Sequence, residues 1–155
     1  MKRLITPEQV VSLAFSDAEY ISVATISDSD IDAATNRYIL PIVGQRLVDA
    51  LLEQNYSALL EQYVAPALAF AVRHSIQPTL NLRVADSGLL APRTDNYTTP
   101  SQSAVDTYRA SIKNRMRELL CRLSDHLNSA EYEEYNPKQN ILNRCSIDGG
   151  FVQIF

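Results

Sequence analysis

The stretch Ala58-Leu59-Leu60-Glu61-Gln62-Tyr63-Val64-Ala65-Pro66-Ala67-Leu68-Ala69-Phe70-Ala71-Val72-Arg73-His74-Ser75-Ile76 decides the fold. Its apolar residues cover every face of a helix, and a helix that is apolar all round is surrounded on all sides. Residues 58–76 are therefore expected at the centre of the domain, or partly buried against another subunit. The most apolar part, residues 63–72, is too short for a membrane span, which needs about 20 apolar residues. It is also interrupted by Pro66 and bounded by Glu61 and Arg73.

Upstream, helix starts are readable from capping chemistry. Thr6-Pro7-Glu8-Gln9 offers a hydroxyl N-cap, proline at the first helical position and a glutamine that reaches back. Ser29-Asp30-Ile31-Asp32 and, further on, Ser103-Ala104-Val105-Asp106 repeat the pattern with aspartate. From Asp30 the spacing of Ile31, Ala34, Tyr38 and Ile42 is helical, and Pro41 and Gly44 are expected to bend or end that helix. A short helix with Leu47, Leu51 and Leu52 on one side follows, and Asn55-Tyr56-Ser57 reads as a turn and cap.

Downstream, the periodicity disappears over residues 78–100, where Asp86-Ser87-Gly88, Ala91-Pro92 and Tyr97-Thr98-Thr99-Pro100 are loop chemistry. The region reads as a long surface loop in which residues 80–84 alternate like a short strand. A long helix then runs over 103–127 with one apolar stripe: Val105, Tyr108, Ile112, Met116, Leu119, Leu123 and Leu127. Cys121 falls nearly opposite that stripe. After Asn136-Pro137 the helical pattern ends, and Ile147-Asp148-Gly149-Gly150-Phe151 resembles a hairpin turn between strand formers. The expected fold is mainly α: a compact bundle of about five helices over 1–136 with a loop at 78–100. A C-terminal extension over 137–155 is expected to carry a β-hairpin.

At 155 residues the chain suffices for one domain that needs neither disulfide nor metal. A net charge of −4 argues against a dedicated nucleic-acid binder. Cys121 and Cys145 match no metal or redox spacing; free thiols in a reducing compartment are expected, with a disulfide the alternative. The opening Met1-Lys2-Arg3-Leu4-Ile5 lacks a signal peptide's apolar stretch, so a cytoplasmic start is expected. Asp28-Ser29-Asp30 begins like a calcium loop, but Ala33 and Ile39 stand where glycine and glutamate are required. Cys121 and His126 lie on different helix faces, and no glycine-rich phosphate loop or nucleophile motif occurs. Neither catalytic residues nor a cofactor nor a metal is expected.

The candidate site is instead an interface. Arg109, Lys113 and Arg117 flank one side of the last helix, with Arg115 and Arg122 on the other. Such a row can track phosphates, lay its stems over the core edge, or pair with acidic residues of a neighbouring subunit such as those of Glu131-Tyr132-Glu133-Glu134. The second reading is preferred to the first, given the negative net charge. In the tail, a turn at Asp148-Gly149-Gly150 sends Phe151, Gln153 and Phe155 one way and Val152 and Ile154 the other. With Ile147 these apolar residues form a candidate docking strip, which either folds back on its own domain or, the slightly preferred reading, adds to a sheet of a neighbouring protein.

The order of elements also resembles a family. Thr6-Pro7-Glu8-Gln9-Val10-Val11 opens the first helix, and the acidic-capped second runs into Tyr38-Ile39-Leu40-Pro41-Ile42-Val43-Gly44. A leucine-bearing helix, a central apolar helix and a long final helix follow. This resembles the head–tail connector (head-completion adaptor) proteins of tailed phages and prophages, well over the first half and in helix order over the rest. The long loop and the glycine-turn tail depart from the simplest members. The resemblance implies a structural subunit without catalytic residues, a ring of copies that joins portal to tail proteins. It would assemble in the bacterial host cytoplasm and end in the virion, without a membrane, a small-molecule substrate or specific nucleic acid. A small helical interaction or regulatory module is the alternative, and an enzyme with a site assembled from distant residues is the third reading.

Overall fold

Small side chains let neighbours approach a helix from every side, and the central helix alternates them with large ones. In the computed structural model, residues 2–16, 19, 21–80 and 101–144 are described with their side chains. Residues 83–85, 88–90, 147–148 and 151–152 are described as backbone. Helix α6 (Ala65–Ile76) has Ala67, Leu68, Ala69, Ala71 and Val72 at 0% exposure. It packs against α1 (Pro7–Ala14), α2 (Asp28–Ala34) and α7 (Gln102–Ser129). The run 58–76 is central as expected but not buried on every face: Pro66, Phe70 and His74, one turn apart, are half-buried, and Ala58, Glu61, Gln62 and Ser75 are exposed.

Two prolines that sequence reasoning gives the power to break helices do not break them. Pro41 follows a wide π turn, Thr35–Ile39, that joins α2 to α3 (Leu40–Val43). Pro66 follows another, Leu60–Val64, that joins α5 (Ser57–Leu59) to α6. In each case the residue before the proline bonds five residues back, Leu40 to Thr35 and Ala65 to Leu60. Proline clashes with the carbonyl four residues back, and the extra residue of a π turn opens the ladder where that clash would fall. Both rods therefore continue. With α4 (Gln45–Leu52) the described residues form five helical rods.

Gly44 ends the second rod. Its φ of 84° and ψ of 154° lie in a region essentially reserved for glycine, and α4 starts at the next residue. The expected stop falls at Gly44, and the helix continues past Pro41 to Val43.

Two caps sit earlier than the sequence suggests. Ser27, not Ser29, closes a reciprocal box with Asp30 (3.0 and 3.2 Å). Asp32 is occupied elsewhere, since Arg3 grips it at 3.0 and 3.2 Å and also reaches Asp28 at 3.0 Å. Ser101, not Ser103, caps α7, its hydroxyl accepting from the Ala104 N–H. Thr6 and Gln9 form the capping box as read.

The loop over 78–100 is not wholly irregular. β1 (Arg83–Ala85) and β2 (Gly88–Leu90) pair antiparallel, Val84 opposite Leu89. After α7 the chain folds back on the body through Asn140, which is fully buried. The Asn140 amide donates to Ser124 Oγ and Tyr135 Oη, both at 2.8 Å, and its carbonyl oxygen accepts from the Leu142 N–H at 2.9 Å. Asn128 and Asn143 exchange side-chain hydrogen bonds at 2.8 Å. The extension from 137 is thus clasped to the body as far as residue 143. β3 (Ile147–Asp148) pairs with β4 (Phe151–Val152) in backbone register, while Cys145, Gly149, Gly150, Ile154 and Phe155 lie outside the described residues.

Replacing Leu68 by Ala removes packing at the centre of this arrangement and is expected to cost about 2–5 kcal/mol in urea unfolding. A loss below about half a kilocalorie would mean the site collapses freely or is not buried. Gly44→Ala is expected to cost about 1–3 kcal/mol through backbone strain. Nothing crowds a Cβ there, since the nearest foreign atom lies 3.5 Å away.

Candidate interaction surface along the last helix

The long helix α7 has 28 residues, about 42 Å at 1.5 Å per residue. Its packing is one-sided and late: Ile112, Met116, Leu120, Leu123, Ser124 and Leu127 are buried. The stripe read from sequence is therefore corrected at its N-terminal end and at Leu119. Val105 and Leu119 are only half-buried and Tyr108 is 42% exposed, whereas Leu120, outside the stripe, is buried. Before Ile112 the helix has little of the described body beside it, so its apolar residues are not enclosed.

Tyr108 has a polar task. Its hydroxyl donates to Glu19, and Arg73 donates to both of them and to the Ala14 carbonyl. The Arg73 guanidinium lies 4.4 Å from the Phe15 ring centroid. A nearly buried arginine, 6% exposed, thus ends the otherwise apolar α6 against the end of α1. Partial burial acts to raise the Glu19 pKa, but hydrogen bonds from Tyr108 and the Ser16 backbone, with the Arg73 charge, outweigh it and hold the carboxyl at about 2.

The three basic residues singled out in the sequence, Arg109, Lys113 and Arg117, are all exposed. The fold adds two residues that sequence reasoning missed as site members. Burial first, then the charges of Lys113, Arg37 and Arg117, push the His74 pKa below its usual value. Arg109, Lys113 and Arg117, four residues apart, share one side of α7, and the Arg37 guanidinium lies 5.4 Å from the ring of Tyr38. Arg37 is exposed on the π turn after α2, and His74 meets the Tyr38 ring edge-on at 6.4 Å. Beside them a cavity of about 100 Å³ is lined by His74, Gln77, Pro78, Arg109 and Ile112. His74 Nδ1 and Gln77 Oε1 are buried without a partner among the described residues. No pattern in the sequence ties Arg37 to α7, because tertiary packing and the π turn bring them together.

The opposite flank is aromatic and acidic. Tyr63 stacks on His126 at 3.9 Å with Arg122 5.3 Å from its ring. His126 Nε2 and Tyr132 Oη are 2.9 Å apart, Tyr56 meets Tyr132 edge-on at 5.1 Å, and Tyr56 Oη donates to Glu134 at 2.9 Å. Of the tail strip, Ile147, Phe151 and Val152 lie on the β3–β4 ladder, and their side chains lie outside the described residues. Cys121 is exposed. Among the described residues no three His, Cys, Asp or Glu come together as a metal-ligand set, and no helix is long and apolar enough to cross a membrane.

Glu19 gives the site a pH signature. A carboxylate whose folded pKa is depressed stabilises the fold above its unfolded value of 4.5 and loses that contribution as pH falls toward about 2. His74, depressed from 6.5, also loses its contribution on acidification, but beginning just below 6.5. Glu19→Gln is therefore expected to be less stable than the wild type near neutral pH, with the gap closing between about pH 5 and pH 2.5. Urea melts across that range measure it, and a gap independent of pH would show that the charge of Glu19 has no part in it.

Comparisons with known proteins give one match: the model of a family of unknown function, DUF6712, covers residues 24–144. No curated protein and no solved structure matches. The matched span runs from the 3₁₀ turn before α2 to the Asn140 clasp, well over half of the chain. The protein belongs to the DUF6712 family of unknown function.

Proposed function

We propose that this chain is a non-enzymatic structural subunit of a tailed phage or prophage, a head–tail connector protein that joins portal to tail proteins. The observation that carries the reading is a clasped helical body with unpaired strand edges. Each two-stranded ladder, β1–β2 and β3–β4, has no further strand beside it among the described residues. An open edge offers backbone donors and acceptors to a neighbouring chain, which is how extended segments join proteins side by side. The exposed first turns of α7 add side-chain surface not covered by the described body. Helix order and the capped Thr6 start supply the resemblance on which the phage assignment rests.

Cavity size favours an assembly role over catalysis. Two clefts among the described residues hold about 100 and 200 Å³, below the roughly 300–1,000 Å³ typical of small-molecule sites. On this reading the protein assembles in the host cytoplasm and remains in the virion.

Genes for portal, capsid and tail proteins are expected beside this one, and negative-stain images of the chain mixed with that portal protein are expected to show added density at the portal rim. Removal of residues 146–155 is expected to leave the melting temperature nearly unchanged while weakening that assembly. Loss of folding on truncation would place the tail in the core and remove the reason for giving it to a partner.

A further inference from the structure

The helical phase of α7 separates charge. With about 3.6 residues per turn, Lys113 and Arg122 stand on opposite sides of the helix. Arg109, Lys113 and Arg117, four residues apart, fall on the side of the His74 cavity, which Tyr38 and Arg37 adjoin, while Arg122 and His126 fall on the side of Tyr63. That second side carries the acidic edge at 131–134, fixed through Tyr132 to His126 and through Glu134 to Tyr56. Glu131 and Glu133 are exposed and Glu134 is half-buried. One flank of α7 is thus cationic, and the acidic edge lies past the helix end on the other side, beside Arg122, in a chain whose net charge is only −4.

Arg37, Lys113, Arg117 and Arg109 make no ion pair among the described residues, and neither do Glu131, Glu133 and Glu134. The cationic flank also holds the cavity into which Arg109 faces, with the unpartnered His74 Nδ1 and Gln77 Oε1 in its wall. A carboxyl side chain entering there meets cations, while duplex DNA, whose phosphates line a broad convex surface, meets a narrow strip on a negative protein. The complement in charge is present on the same molecule.

We propose that copies of this chain associate head to tail, the acidic edge at 131–134 of one copy seated on the Arg37–Lys113–Arg117 flank of the next. Because the two surfaces differ and lie on opposite flanks, the contact is heterologous, so repetition closes a ring or runs into a filament. The inference deepens the connector reading and rests on it for biological sense, although its test needs only the purified chain.

The experiment pairs two charge-reversed full-length variants: Lys113→Glu with Arg117→Glu, and Glu133→Lys with Glu134→Lys. Sedimentation equilibrium at low salt reads the association. The wild type is expected to associate, and to dissociate at least about tenfold more readily when salt rises from ~50 to ~300 mM. Each variant alone places like charges face to face and is expected to remain monomeric. An equimolar mixture restores opposite charges at both contacts and is expected to associate again, as only a head-to-tail contact between these flanks predicts. Unchanged melting temperatures show that both variants fold, since all four positions are at or near the surface.

A monomeric wild type at low salt, variants that associate like the wild type, or a mixture that stays monomeric each overturn the proposal. So does a wild type that shifts duplex DNA at physiological salt while the Lys113/Arg117 variant does not, because the flank then serves phosphates. Failure of the connector reading shows elsewhere, as absence of portal and tail genes beside this one or of any complex with the portal protein. The two outcomes are separable.

Discussion

Everything in this fold is arranged around the enclosure of α6. Apart from the half-buried face of Pro66, Phe70 and His74, α6 is closed in by its neighbours, and Ala65, Ala67, Ala69 and Ala71 make room for them while Leu68 and Val72 fill the gaps. Interiors pack close to the density of crystals, so each partner is held to a narrow range of positions. The enclosure creates one problem, which is Arg73 near the helix end. A buried guanidinium is tolerated only with its donors satisfied and its charge compensated. Glu19, Tyr108, the Ala14 carbonyl and the face of Phe15 meet most of that need, leaving Nε without a partner. The polar cluster follows from the apolar helix.

Two π turns extend the same constraint to the surface. Each lies just before a proline and each carries a tyrosine three residues ahead of it, Tyr38 before Pro41 and Tyr63 before Pro66. Tyr38 meets His74, and Tyr63 stacks on His126 of α7. The extra residue lets both rods continue past proline and turns the following side chains to a new phase. Arg37, on the first of these turns, reaches the neighbourhood of His74 in this way. The cationic flank and the aromatic, acidic flank are thus products of how α6 is surrounded.

The elements whose cause is local were legible from the residues. The apolar run at 58–76, the Thr6 capping box, the stop at Gly44 and the five-rod helical class needed only periodicity and short-range chemistry. The failures arose where a distant partner decided the outcome. Asp32 looks like a capping residue until Arg3 claims it, so the cap moves to Ser27. Tyr108 keeps the spacing of the stripe, yet its hydroxyl is spoken for by Glu19 and Arg73. Asn140 carries no signal at all, being one polar residue in a polar stretch, and becomes the buried clasp of the chain end. Arg109, Lys113 and Arg117 were found by their spacing, but Arg37 and His74 join them only in three dimensions.

The distribution of ion pairs separates charges that serve the fold from charges that do not. Arg3 holds Asp28 and Asp32, Arg73 holds Glu19, and Arg115 pairs with Glu118 one turn on. Arg37, Lys113 and Arg117 stand among none of these, although exposed pairs are easily made and worth only about 0–1 kcal/mol. Among the described residues no ion pair offsets gathering them on one flank, where like charges repel. Charge complementarity between proteins governs orientation and encounter rate more than affinity. On a head-to-tail reading the flanks would therefore set which way neighbouring copies face. Affinity would have to come from apolar contact, for which Ile147, Phe151, Val152, Ile154 and Phe155 supply side chains in a segment beyond the clasp. Orientation by charge and adhesion by a tail are separable tasks, and this sequence places their residues on separate parts of the chain.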